Sequence, residues 1–183
     1  TISLRTGLRI SARVEFEGSK EKPTAQMLGR LPVTIEPIEG RSPSPFMSPG
    51  RIDPATNQFN SYGMPGGRYF VRIGGAPPGW TFKSAMHQGR DVSDVPLDLD
   101  TSDVTGVVIT FTDQPTELSG TAQGARGGDP DATVLVFPSD NTGWVNTGLN
   151  PRRIRSVRTG PNGNYKISGL PPGGYYIAAV PDE

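Results

Sequence analysis

Cysteine is absent and histidine occurs once, as His87. Thiol catalysis, disulfide staples and Cys-ligated zinc are therefore excluded, and a histidine-based zinc site lacks its second ring. Long helix-compatible stretches are missing too. With 24 Gly and 19 Pro in 183 residues, the longest segment free of both runs only from Leu8 to Glu17, and helices shorter than about 12 residues are marginal without tertiary support. There is no excess charge of either sign: 18 Lys plus Arg balance 18 Asp plus Glu, so no whole-molecule field recruits nucleic acid or an anionic membrane. No apolar run reaches the roughly 18 residues of a spanning helix. The N-terminus carries no signal-peptide pattern, as also expected of a chain that begins after one was removed.

What remains is short apolar alternation between turn residues. Leu8, Ile10, Ala12, Val14 and Phe16 alternate with Arg9, Ser11, Arg13 and Glu15, the period of a strand with one buried face. Tyr69, Val71 and Ile73 share a face opposite Phe70 and Arg72, and Val107, Ile109 and Phe111 alternate with Val108, Thr110 and Thr112. Further strands are expected at Val33 to Ile38, Trp80 to Gln88, Thr116 to Ala122, Thr133 to Phe137 and Arg153 to Arg158. Antiparallel pairing is expected, since no connection is long enough for a crossover helix.

The pattern occurs twice. Phe59 to Ile73 aligns without a gap on Tyr165 to Ala179, at a constant offset of 106, and keeps Gly63 with Gly169, Pro65 with Pro171, Gly67 with Gly173 and Tyr69 with Tyr175. Upstream, Ile10-Ser11-Ala12 corresponds to Leu118-Ser119-Gly120, and Val33, Ile35 and Pro37 correspond to Val134, Val136 and Pro138. Two tandem antiparallel β-sandwich domains are expected, immunoglobulin-like or prealbumin-like: residues 1–114, with a Pro-rich insert over 42–54, and residues 115–183. In Gly63-Met-Pro-Gly-Gly67 and Gly169-Leu-Pro-Pro-Gly-Gly174, Pro presets one φ and a following Gly takes the positive φ of a tight reversal. Met64 and Leu170 would plug the sandwich ends. After Tyr69 to Ile73 some forty residues follow before the second repeat, whereas after Tyr175 to Val180 only Pro181-Asp182-Glu183 remain. The second sandwich is thus expected to lack its last strands. Truncation of a longer chain explains this, as does a complement supplied by another chain.

Asn162-Gly163-Asn164-Tyr165 followed by Gly169-Leu170-Pro171-Pro172-Gly173-Gly174-Tyr175 resembles the "DGxF…GLPPGxY" pattern of the carboxypeptidase regulatory-like, or prealbumin-like (transthyretin-like), domain. The segments around Trp80 to Ser84, Gly89 to Val92, Pro96 to Asp98 and Thr110 to Asp113 resemble the interdomain bridge of long bacterial proteins that carry it. The resemblance spans most of the chain from Leu8. It implies a small β-sandwich found in tandem in secreted and envelope proteins of bacteria, a non-catalytic accessory or interaction module placed extracellularly, in the envelope or in the periplasm. Asn57-Gln58 and Asn162-Gly163 depart from the pattern where Asp commonly opens the turn, and so does the Pro-rich insert. An isopeptide bond of pilin-like sandwiches is not carried over, because the first strand has Arg9 and Arg13 but no Lys.

No residue set gathers into a catalytic pattern. His87 reads as a surface residue at a strand end. Asp91, Asp94, Asp98, Asp100 and Asp103 offer oxygen ligands for Ca²⁺ but lack the Gly and terminal Glu of an EF-hand loop, and read as a solvated, edge-protecting linker. Arg152, Arg153, Arg155 and Arg158 can meet an acidic glycan, a phosphate or an acidic neighbour. On a strand, however, Arg153 and Arg155 would share one face and Arg152 and Arg158 the other, which suits an edge strand better than a single site. Trp80, Trp144 and Tyr176 can stack on sugars. Trp80, after Pro77-Pro78-Gly79, reads equally as core, which leaves Trp144 and Tyr176 as the contact candidates. There is no Gly-x-Ser-x-Gly elbow, and no helix follows Gly74-Gly75 or Gly127-Gly128 to receive a phosphate. The expected function is structural: binding protein partners, or copies of itself, through β-edges, with neither cofactor nor metal and neither nucleic acid nor a membrane span. A carbohydrate-binding module with a glycan partner is the alternative.

Overall fold

A computed structural model describes residues 6–38, 50–124, 127–145 and 151–181. The chain divides into two compact units, Thr1–Gln114 and Pro115–Glu183, and both are built of β-sheet.

In the first unit β1 (Ile10–Glu17) is followed by one helical turn, α1 (Ala25–Leu28), and then by β2 (Val33–Pro37), β3 (Gly50–Asp53), β4 (Gln58–Ser61), β5 (Gly67–Ile73), β6 (Thr81–His87), β7 (Arg90–Asp91), β8 (Leu97–Leu99) and β9 (Val104–Thr112). Thr24 Oγ1 caps α1 by accepting from the Met27 N–H, and Gly29 caps its other end, donating its N–H to the Ala25 carbonyl. Six strands form one sheet in the order β3-β4-β1-β9-β6-β7, and three form the other, β2-β5-β8. Positions 42–49 of the expected insert lie outside the described residues. The insert's end is not loop: Gly50–Asp53 is β3, paired with β4.

The alternation read from the sequence sorts the side chains. Ile10, Ala12 and Val14 from β1, and Val107, Ile109 and Phe111 from β9, are all buried in one core with Phe59, Val71 and Leu99. Each large side chain sequestered in this way contributes about 1.5–3 kcal/mol. Phe16 stacks on Phe111 with centroids 5.4 Å apart and meets the Trp80 ring edge-on at 4.9 Å, so Trp80 is a core residue.

One ladder departs from the antiparallel expectation. β1 and β9 run parallel, with Ala12 opposite Val107, Val14 opposite Ile109 and Phe16 opposite Phe111. No crossover helix is needed, because β2, β5 and β8 take the chain into the opposite sheet and the intervening β3, β4, β6 and β7 belong to the sheet of β1 before β9 arrives beside it. Alternation fixes which face a residue takes but not the direction of its neighbour.

The second unit contains β10 (Glu117–Thr121), β11 (Gln123–Gly124), β12 (Gly127–Gly128), β13 (Ala132–Pro138), β14 (Arg155–Arg158), β15 (Asn164–Ser168) and β16 (Tyr175–Pro181). Its sheets are β10-β15, the ribbon β11-β12, and β14-β13-β16. Val134, Val136, Ile167 and Leu170 form its core with Ala122 and Ala132, flanked by Leu118, Val157, Tyr165 and Tyr175.

The Pro-Gly segments carry the chain from one sheet to the other, between β4 and β5 and between β15 and β16. Met64 and Leu170 are buried there. Each corner is tied by the tyrosine after it: Tyr69 Oη donates to the Pro65 carbonyl at 2.9 Å, and Tyr175 Oη to the Pro171 carbonyl at 2.7 Å. The expected positive φ after Pro holds at Gly173 (φ 154°) but at neither Gly66 nor Gly67. In the first unit those glycines serve close packing. A Cβ on Gly66 would sit 3.3 Å from the carbonyls of Leu99 and Asp100, and one on Gly67 would sit 3.3 Å from the Tyr69 ring.

Candidate interaction surface

The residues singled out by sequence fall in separate places. Trp144 lies in a 3₁₀ turn, Asn141–Trp144, whose N-cap Asp140 accepts from the Thr142 N–H at 2.9 Å. That bond is the main reason the Asp140 carboxyl is held below its ordinary pKa. Trp144 is 47% exposed, but its indole N–H is spent on the Pro138 carbonyl at 2.8 Å. Its ring meets Phe137 edge-on at 5.6 Å, and Tyr176 approaches the same Phe137 at 5.8 Å. The fold thus joins Trp144 and Tyr176 through Phe137, a link the sequence alone did not indicate.

The arginines do not share that cluster. β14 begins only at Arg155, so Arg152 and Arg153 lie in the bend before it and the expected two-faced strand of four is shorter. Arg153 turns back to donate to the Pro172 carbonyl at 3.3 Å. Arg155 stands opposite Val136 and Arg158 opposite Thr133, on opposite faces of an edge strand.

His87 ends β6, half-buried, across from Arg90. Four carboxylates of the acidic stretch have separate partners. Asp91 accepts from the Ser93 N–H, Asp94 lies 3.7 Å from Arg72, Asp98 bonds Arg68 at 3.1 Å, and Asp103 accepts from the Arg9 N–H at 2.9 Å. Among the described residues no three acidic or histidine side chains converge on a metal-sized site.

Two polar features were not foreseen. Arg72, on the face opposite Tyr69 and Val71, is buried: its guanidinium lies 4.1 Å from the Phe70 ring centroid, bonds Glu36 at 3.1 Å and donates to the Ser93 carbonyl at 3.1 Å. Asp113, just past β9, accepts from the backbone N–H groups of Ser19 and Lys20 at 2.7 and 2.9 Å. The Lys20 N–H is the main cause of its lowered pKa, with the Ser19 contacts adding and desolvation opposing. Gly18 (φ 151°) makes room, since a Cβ there would run into the Asp113 carboxylate.

The pairing of the strands brings out a further surface. Ala12 faces Phe59 across β1–β4, and Gly120 faces Tyr165 across β10–β15; Ile35 faces Val71 across β2–β5, and Val136 faces Ile177 across β13–β16. These pairs stand at the offsets read from the sequence. The surroundings differ. β1 lies between β4 and β9, whereas among the described residues β10 has only β15 beside it. Val71 is 1% exposed, and its counterpart Ile177 is 45% exposed. Tyr176, Val180 and Leu135 are exposed on the opposite face of the same sheet.

Neither a protein-family model nor a curated protein sequence matches the chain. Similar solved structures include the Bacillus anthracis TIE protein, at 16% identity and a TM-score of 0.30, and the Streptococcal ancillary pilin, at 12% and 0.31. Each alignment covers 94% of this chain but only 29% and 53% of those chains, and no residue role is transferred from either.

Proposed function

We propose that this chain is a non-catalytic structural or protein-interaction module, made of two tandem copies of one sandwich of the carboxypeptidase regulatory-like kind, serving as an accessory part of a larger extracytoplasmic assembly. The observation that carries the reading is the apolar exposure of the second unit, where Tyr176, Val180 and Leu135 lie uncovered on one face of the three-stranded sheet and Ile177 on the other. Contiguous apolar surface of this sort marks an interface more often than a free face, and open strand edges are templates for pairing. The tandem reading is supported by ladders of equal register and by the paired tyrosine corners. The extracytoplasmic placement rests on the sequence resemblance.

The glycan alternative has less support. The Trp144 indole N–H is already occupied, and the arginines lie apart from the aromatic cluster.

The test is the size of the native particle, by analytical ultracentrifugation with the intact mass of the chain, together with cross-linking in its source. An assembly or a stable complex is expected. A chain that stays a solitary monomer, with every strand edge protected from hydrogen exchange, would overturn the reading.

A further inference from the structure

Among the described residues of the first unit, β1 is the strand met first along the chain and β9 the one met last, and they lie side by side at the centre of the six-stranded sheet. Their parallel direction decides how the unit meets a pull along the chain. Tension arriving ahead of β1 enters the ladder at Ile10, opposite Val104, whereas tension leaving after β9 does so at Thr112, opposite Glu17. The two points are at opposite ends of one ladder. Inter-strand bonds run across the strands, so the pull acts along the strands and loads all pairs from Ile10 to Glu17 together, in shear. Had the two points lain at the same end, the bonds would open one after another.

The ladder is also secured against sliding. A carboxylate latches each end. The Arg9 N–H donates to Asp103, just ahead of β9, at 2.9 Å. Asp113, just past β9, accepts from the Ser19 and Lys20 N–H groups at 2.7 and 2.9 Å. Both latches tie the flank of one strand to the flank of the other. Between them the register shifts once, between Ile10 and Ala12, where Gly106 of β9 takes φ 76°. Such a bulge pins the register, because a slip would have to carry the extra residue with it. A slip of one residue would moreover turn the buried Ile10, Ala12 and Val14 away from the core. With β4 outside β1 and β6 outside β9, neither strand is an edge.

We infer that the first unit is a tension-bearing link: a pull transmitted along the chain is held as shear on the β1–β9 ladder, with Asp103 and Asp113 as its end latches. The function rests on the reading of the chain as a structural part of an assembly, and specifies how such a part carries load.

The test is single-molecule force spectroscopy of the full chain in two geometries. In one the chain is held at its two ends. In the other it is held at its C-terminal end and at Lys22→Cys, which supplies the only thiol in a chain without cysteine. Lys22 is exposed and follows the Ser19 and Lys20 latch, so both pulls then reach the ladder at its Glu17 and Thr112 end and peel it. End-to-end pulling should release the first unit in one step with a contour gain of roughly 350 Å, the extended length from Ile10 to Thr112. The force should be at least about twice that of peeling at the same loading rate. Asp103→Ala removes the latch at the far end from the peeling point. Under constant end-to-end load it should shorten the lifetime of the unit at least about threefold, and under a peeling load it should leave the lifetime unchanged. A residue that merely stabilised the fold would shorten both.

Equal forces in the two geometries, release of β1 in a smaller step ahead of β9, or equal shortening by Asp103→Ala in both geometries would overturn the tension-bearing link. If the native particle is nevertheless an assembly, only the load path is wrong and the interaction reading survives. A solitary monomer would remove the interaction reading and, with it, the source of the load, however high the end-to-end force.

Discussion

The two units place like residues at like positions and surround them differently. Phe70 in β5 and Tyr176 in β16 stand at the same offset within matching ladders. Phe70 is fully buried under the Arg72 guanidinium, while Tyr176 is 55% exposed beside Phe137 and Trp144. Val71 and Ile177, one residue on and facing the other way, diverge in the same direction. The difference does not lie in the strands but in what covers them. In the first unit β8 pairs beside β5, β9 packs into the core of Val71, and the Ser93-Asp94 loop holds Arg72; in the second, Tyr176, Ile177 and Val180 of β16 are exposed. Matching ladders do not by themselves bury a strand; its neighbours do.

Paired substitutions test this contrast. The largest expected effect is Phe70→Ala, which should cost about 3–5 kcal/mol as a large core side chain is lost, against under about 1 kcal/mol for Tyr176→Ala at the surface. Both are read from urea unfolding of the full chain, by probes in each unit. Equal costs would break the comparison. Arg72→Ala should approach the same loss, about 3–5 kcal/mol, because it breaks a buried ion pair with Glu36 together with the bond to the Ser93 carbonyl. Its counterpart Ala178 carries no ion pair to lose.

Smaller changes sharpen the likeness rather than the difference. Tyr69→Phe and Tyr175→Phe each remove one hydroxyl bond to a proline carbonyl, and each should destabilise its own unit by about 1 kcal/mol. A large effect in one unit alone would mean that the corners are not equivalent.

Acid should separate the units through Asp113, which belongs to the first. Its folded pKa lies below the ordinary carboxylate value. Its contribution is therefore complete above the unfolded value and is lost as pH falls through the folded one. Asp113→Asn should flatten that part of the acid limb in urea unfolding of the first unit, with stability near neutral pH reduced slightly. An acid limb identical to that of the parent chain would show that the Ser19 and Lys20 contacts carry no stability.

Much of the architecture was legible because burial on one face leaves a period of two. β1, β5 and β9 announced themselves in this way, and the doubled Pro-Gly corner with its tyrosine marked the repeat. Direction of pairing was not legible, since parallel and antiparallel strands alternate alike; hence β1–β9 came as a correction. The burial of Arg72 was hidden because a charged residue in an outward phase reads as solvated, and only the loop at Ser93 and Asp94, distant in sequence, closes over it. Trp144 and Tyr176 were both identified, yet their meeting at Phe137 depends on the β13–β16 register, which no local pattern contains. Among the described residues β10 has only β15 beside it. Which main-chain groups it bares follows from ladder phase, and that is a property of pairs.

Residue-resolved amide exchange of β1 against β10, in the same full chain, tests the central claim most directly. Arg13 and Glu15, whose outward groups face β9, should exchange slowly. Ser119 and Thr121 should exchange at least about a hundredfold faster than Leu118 and Gly120, which face β15. Protection of Ser119 and Thr121 equal to that of Arg13 and Glu15 would mean that the strand position beside β10 is already filled, and would contradict the account.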